Sequence, residues 1–144
     1  MNATLHRFGY PDTLLLEGSH WAVLLRPAQV TLGSLILGCR DQSLEFSELP
    51  EQAIVEFGTM VRRIEQVLSG QFGYEKINYL MLMMVDPHVH FHVIPRYSKV
   101  QRFASVAFED TGWPGPPDLA HRAPLDQHGF ARLRDRLRAA FNGS

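Results

Sequence analysis

The stretch His88-Val89-His90-Phe91-His92-Val93-Ile94-Pro95-Arg96 decides how this sequence is read. Polar and apolar residues alternate through it, which is the period of a β-strand, so every second side chain shares a face. All three imidazoles then point one way, while Val89, Phe91 and Val93 point the other. Residues two apart on a strand lie ~6.6 Å from each other, and residues four apart about 13 Å. Zinc needs its nitrogens at ~2.0–2.1 Å, so three histidines on one straight strand converge on a single ion poorly. A metal held by two of them with outside help stays open, Asp86 being the nearest carboxylate. A phosphate suits the spacing better, because a central ring can attack phosphorus while flanking rings hold oxygens or move a proton.

Outward from this strand, Asp86-Pro87 is a turn signal, and 77–85 is apolar apart from Asn78. That run predicts a central strand covered on both faces, joined to 88–97 by a hairpin. Met81, Met83 and Met84 then read as core filler. Further upstream, 14–16 and 21–25 predict two short strands around Glu17-Gly18-Ser19-His20, with a third over 32–39. Between them and the triad, Ile54, Phe57, Val61, Ile64 and Leu68 recur at helical spacing over 50–69. Pro50 suits the first turn of that helix and Gly70 its exit.

Downstream, 111–117 holds too many Gly and Pro residues for regular structure, and Trp113 reads as a packing anchor within it. Asp126 suits the cap of a last helix striped by Phe130, Leu133, Leu137 and Phe141. The fold class is α+β: an antiparallel sheet of about five strands, one long helix and a C-terminal helical extension. Residues 1–110 and 111–144 are expected to form a single domain.

Composition narrows the function. The chain has 144 residues, 45% of them hydrophobic and 20% charged, which excludes a disordered or fibrous protein. A net charge of −1 argues against a nucleic-acid binder or a lipid-surface protein. The one cysteine, Cys39, excludes an internal disulfide and a cysteine-rich zinc module and reads as a small buried residue. No stretch has the length of a membrane span, so a cytoplasmic protein is expected. Residues 121–144 carry five Arg against two Asp, which reads as a solvated helix face. His6, His20, His121 and His128 stand alone and read as surface residues.

The pattern His88-x-His90-x-His92-Val93-Ile94 resembles the signature of the histidine-triad (HIT) superfamily of nucleotide hydrolases and transferases. HVHFHVIPR is similar to the diadenosine polyphosphate hydrolase branch, and Lys76-Ile77-Asn78 to a bacterial subgroup; the likeness runs over roughly residues 14–97. The resemblance implies that His90 attacks the α-phosphorus of a nucleoside phosphate derivative. A nucleotidyl-histidine forms, and water releases the monophosphate. His88 and His92 are implied to orient His90, contact phosphate and protonate the leaving group, without a cofactor or required metal, in a homodimer. Asn78 and Arg96 become candidate nucleotide and phosphate contacts. Ser34 stands where many members carry another His, and Arg26 where an Asp or Asn usually holds the ribose. Met84 and Val85 replace a polar pair that usually meets phosphate and leaving group. Those departures keep a second reading alongside the enzyme, a nucleotide-binding module without turnover, and the strand-borne metal site remains a third.

Overall fold

The computed structural model describes residues 1–143; the last residue of the expected 111–144 extension, Ser144, lies outside the described residues. The chain opens on a short helix α1 (Ala3–Arg7), begun by Asn2, whose side chain accepts a hydrogen bond from the Leu5 N–H. Strands β1 (Leu14–Glu17), β2 (Trp21–Leu25) and β3 (Leu35–Cys39) follow, then the long helix α2 (Glu51–Phe72). After it come β4 (Lys76–Leu80), β5 (His90–Arg96), the hairpin β6 (Gln101–Phe103) and β7 (Val106–Phe108), and α3 (Gln127–Asn142). Five strands make one antiparallel sheet in the order β1-β2-β3-β5-β4, so the fold is α+β as expected.

Two layers of apolar side chains flank this sheet. Val23, Leu25, Leu35, Leu37 and Val93 face α2 and α3, meeting Ile64, Leu68, Leu133 and Leu137 in the main core. Ala22, Leu24 and Ile36 face the other way, under Leu5, Phe8 and Tyr10 of the N-terminal segment. Helix α2 is fastened to the sheet by Trp21 Nε1, which donates to the Ala53 carbonyl at 2.7 Å.

Five local expectations change. The run 77–85 is not a central strand: β4 is an edge strand ending at Leu80, and Met81–Val85 leave the sheet. Its last ladder pair is Leu80 with His92, so the link back to β5 is a loop rather than a tight hairpin. Met81 and Met84 are consequently exposed, Met84 at 87%, and are not core filler. The third strand starts at Leu35 because Gly33, at φ 89, turns the chain just before it. On α2, Phe57, Val61, Ile64 and Leu68 pack on the core as expected, joined by Ala53, Met60 and Val67, but Ile54 is exposed and the helix runs past Gly70 to a left-handed cap at Gly73.

Arg132 and Arg136 of α3 lie on an exposed face as expected, and three of the arginines also fasten the helix to the body. Arg138 donates to the Leu14 and Asp12 carbonyls, Arg134 pairs with Asp12, and Arg136 bonds Gln71 while lying over Phe72. Asp126 caps α3 as expected, accepting from the Gly129 N–H at 2.8 Å.

Candidate active site

Strand β5 carries His90 and His92 on the face opposite Phe91 and Val93, as the alternation requires. Their rings lie 5.2 Å apart, and Phe8 packs against both, at 5.6 Å and 5.9 Å. His90 and His92 are only 2% and 8% exposed, so each ring must find partners within the protein.

Those partners set the protonation of each ring. His90 Nδ1 is 2.7 Å from the His88 carbonyl oxygen, which can only accept. His90 Nδ1 therefore carries a proton, and in the neutral ring the lone pair is on Nε2. His92 is the reverse case. Arg26 Nε–H donates to its Nδ1 at 3.3 Å, so the His92 proton sits on Nε2. Burial, then the Arg26 charge and His90, push the His92 pKa from 6.5 down to about 4. His92 is thus a neutral hydrogen-bond donor at physiological pH. Burial also lowers the Arg26 pKa, helped by the nearby Arg122, and the described residues give Arg26 no carboxylate partner.

His88 sits just before β5 begins, and its side chain turns to α1, with Nδ1 2.8 Å from Thr4 Oγ1. The same Thr4 oxygen accepts the His88 backbone N–H at 3.3 Å. What His88 turns toward His90 is its carbonyl oxygen.

A cleft of about 290 Å³ opens on His90, His92, Arg26 and Phe8, with the 82–86 loop and Leu119 as further walls. A larger cleft of about 510 Å³ beside the α3 N-terminus holds Arg122 and Arg134 but no imidazole. His90, His92 and Arg26 line the smaller one.

Three expected site residues lie elsewhere. Arg96 is buried and engages Asp110 in a bidentate pair, Nε at 2.7 Å and Nη2 at 3.0 Å, while its Nη1 donates to Asn78 Oδ1 at 2.8 Å. Asn78 and Arg96 therefore satisfy each other across β4 and β5. Ser34 is buried in the turn before β3, where its hydroxyl donates to the Thr31 carbonyl and accepts the Thr31 N–H. None of the three lines the triad cleft.

Phe8, which lines the cleft, and Thr4 and Leu5, which lie behind it against His88 and Gly38, are contacts the sequence reading missed. Asn2 ahead of Ala-Thr-Leu-His was the available signal, being a capping residue at the start of a possible helix. Leu5 also explains Gly38 on β3, where a Cβ would overlap the Leu5 side chain and approach His90 Cβ at 3.9 Å. Nothing in the Pro/Gly segment signalled Leu119. Among the described residues, no group of three or more His, Cys, Asp or Glu side chains is arranged to hold a metal ion.

An imidazole, a neutral ring donor and a guanidinium thus meet on one face of the sheet beside Phe8, a set of groups able to engage an anion. A family model described as HIT domain matches residues 11–99, and the chain belongs to that family. The family comprises nucleotide-binding proteins, hydrolases and transferases. Among solved structures, a histidine triad protein from Marinobacter aquaeolei VT8 is 24% identical with a TM-score of 0.74, covering 96% of this chain and 94% of its own. One from Sinorhizobium meliloti 1021 is 24% identical with a TM-score of 0.71, covering 95% and 93%. A histidine triad nucleotide-binding protein from Sulfolobus tokodaii strain 7 is 16% identical with a TM-score of 0.67, covering 91% and 84%. These likenesses establish the fold. No curated protein matches the chain. Among the described residues, no helix is long and apolar enough to cross a membrane.

Proposed function

We propose that the protein is a nucleotide hydrolase or nucleotidyl transferase working through a nucleotidyl-His90 intermediate. The observation that carries this reading is the 2.7 Å contact of His90 Nδ1 with the His88 carbonyl, which puts the neutral ring's lone pair on Nε2 in a residue that lines the cleft. Nε2 attacks the α-phosphorus of a nucleoside phosphate ester, anhydride or phosphoramidate, and the bond to the leaving group breaks. His92 Nε2–H donates to a phosphoryl oxygen, and the Arg26 cation offsets the charge that develops there. Water then cleaves the phosphorus–nitrogen bond and releases the nucleoside monophosphate; another acceptor in place of water makes the reaction a transfer. In this reading Asn78, Arg96 and Ser34 support the strands and turns around the site, and do not touch substrate. A cytoplasmic homodimer belongs to the same proposal, and β4 offers an unpaired sheet edge for it.

The test is to mix the protein with an isotopically labelled nucleoside phosphoramidate, quench, and map the label by peptide mass spectrometry. Label on His90, and loss of turnover in His90→Ala, are expected. Turnover that survives in His90→Ala would overturn the mechanism. Nucleotide binding measured by calorimetry, with no product after hours, would select the binding-module reading.

A further inference from the structure

Two arginines beside the triad cleft hold donors that the protein leaves without acceptors. Arg26 uses Nε on His92 and Nη1 on the Ala28 carbonyl, the latter at 2.7 Å, and among the described residues its Nη2 has no acceptor. Arg122 is exposed and, among the described residues, makes no side-chain hydrogen bond or ion pair. The Arg122 charge reaches Arg26, and no carboxylate acts on that guanidinium in compensation. The two acids that share a cleft with Arg122 are already engaged. Asp12 pairs with Arg134 at 3.0 Å, and Asp126 caps α3.

The backbone fixes where these cations stand. Ala123 N–H donates to the Gln29 carbonyl at 2.9 Å, and the buried Gln29 side chain donates to the Arg26 carbonyl at 2.7 Å. The C-terminal segment is thereby tied to the turn after β2, with Leu119 in the triad cleft and Arg122 in the larger one. The two clefts adjoin through consecutive residues: Phe8 and Arg26 line the first, Gly9 and Pro27 the second. A molecule with its phosphorus at His90 therefore passes Arg26 to enter the space of about 510 Å³. Like charges held near each other repel, and an anion between them turns that repulsion into attraction.

We propose that Arg26 and Arg122 form a second phosphate site, and that the substrate is a nucleoside 5′-phosphate derivative with a further phosphate on its ribose. This rests on the reading above that places the 5′-phosphate at His90. A guanidinium has five donors and no acceptor, so it matches a phosphate and leaves the hydroxyl protons of an unmodified ribose without a partner. The same contrast operates in dinucleotide sites, where a carboxylate takes a free ribose hydroxyl and an arginine takes a ribose phosphate. The opposite wall of the triad cleft gives a second phosphate no such reception. Leu82, Met83, Met84 and Val85 offer no side-chain N–H or O–H there, and an anion pressed against them loses water without gaining donors.

Calorimetry compares four adenosine ligands: the 5′-monophosphate, the 2′,5′-bisphosphate, the 3′,5′-bisphosphate and the 5′-diphosphate. Each is measured on the wild type, Arg122→Gln and Arg122→Lys. Charge-assisted hydrogen bonds to a phosphate separate such ligands by about 10-fold or more. One of the bisphosphates is therefore expected to bind at least ~10-fold tighter than the monophosphate, and tighter than the diphosphate. That ratio should fall to about twofold in Arg122→Gln and be partly restored in Arg122→Lys, which keeps the charge. Equal affinities, a diphosphate that matches the bisphosphates, or an advantage that survives Arg122→Gln each overturn the inference. Label trapping on His90 runs in parallel, with adenosine 5′-phosphoramidate bearing or lacking the ribose phosphate. Trapping without a bisphosphate advantage removes the phosphate site and leaves the mechanism standing. An Arg122-dependent advantage without trapping keeps the site and removes the mechanism. Absence of binding by all four ligands overturns both.

Discussion

Arg26 Nε–H meets His92 Nδ1 at 3.3 Å, joining the end of β2 to the centre of β5 through side chains 66 residues apart in sequence. Burial first, and then this cation, keep the ring neutral, while the donated hydrogen bond fixes its tautomer.

Arg26→Met removes both the donor and the charge. The His92 pKa is expected to rise from about 4 toward 6.5, but only part of the way, because burial is the larger cause and stays. Nitrogen NMR of the imidazoles reads the shift and the loss of a single tautomer. Loss of a hydrogen bond to a charged group costs roughly 1.5–3 kcal/mol, so kcat/KM is expected to fall about 10–100-fold. An unmoved titration would show that His92 does not feel Arg26.

The depressed His92 pKa also makes stability depend on pH, with a definite sign. Between about 4 and 6.5 the unfolded chain binds a proton that the folded ring refuses. Stability from this group is full above 6.5 and is lost as pH falls toward 4, at up to about 1.4 kcal/mol per pH unit. Urea unfolding of the wild type and His92→Gln at pH 7.5, 5.5 and 4.5 measures it. The variant should lose stability less steeply; parallel lines would contradict the assignment.

Thr4 serves His88 alone among the triad, accepting its N–H and meeting its Nδ1. Thr4→Val keeps the shape and removes both contacts. A loss of about 1–3 kcal/mol is expected in chemical denaturation, together with slower labelling of His90, whose Nδ1 depends on the His88 carbonyl. If the labelling rate is unchanged, His88 is held by its own backbone and not by Thr4.

The Arg96–Asp110 pair tests the claim that Arg96 supports the sheet. Both side chains are nearly inaccessible, at 4% and 1%. Asp110→Ala strands a buried guanidinium and is expected to cost about 3–5 kcal/mol of stability. At a temperature where the variant remains folded, KM for the nucleotide should stay within about twofold of wild type. A large rise in KM would place Arg96 in contact with substrate.

Period-two alternation alone was enough to set His90 and His92 on one face and Phe91 and Val93 on the other, since successive strand side chains must point oppositely. The stripe Leu133, Leu137 and Phe141 and the cap at Asp126 were equally local, and α3 follows them. Local pattern is silent on which strands are central. The apolar run 77–85 therefore predicted a buried strand, whereas the sheet order puts β4 at the edge and turns Met84 and Val85 outward. It is silent too on pairings between distant residues. Thr4 with His88, Arg26 with His92 and Arg96 with Asp110 exist because strand register and the docking of α1 bring those atoms within hydrogen-bond reach. The triad itself was legible in the sequence. Which of its nitrogens carries a proton was decided by the tertiary structure, because a ring nitrogen takes its role from the group opposite it.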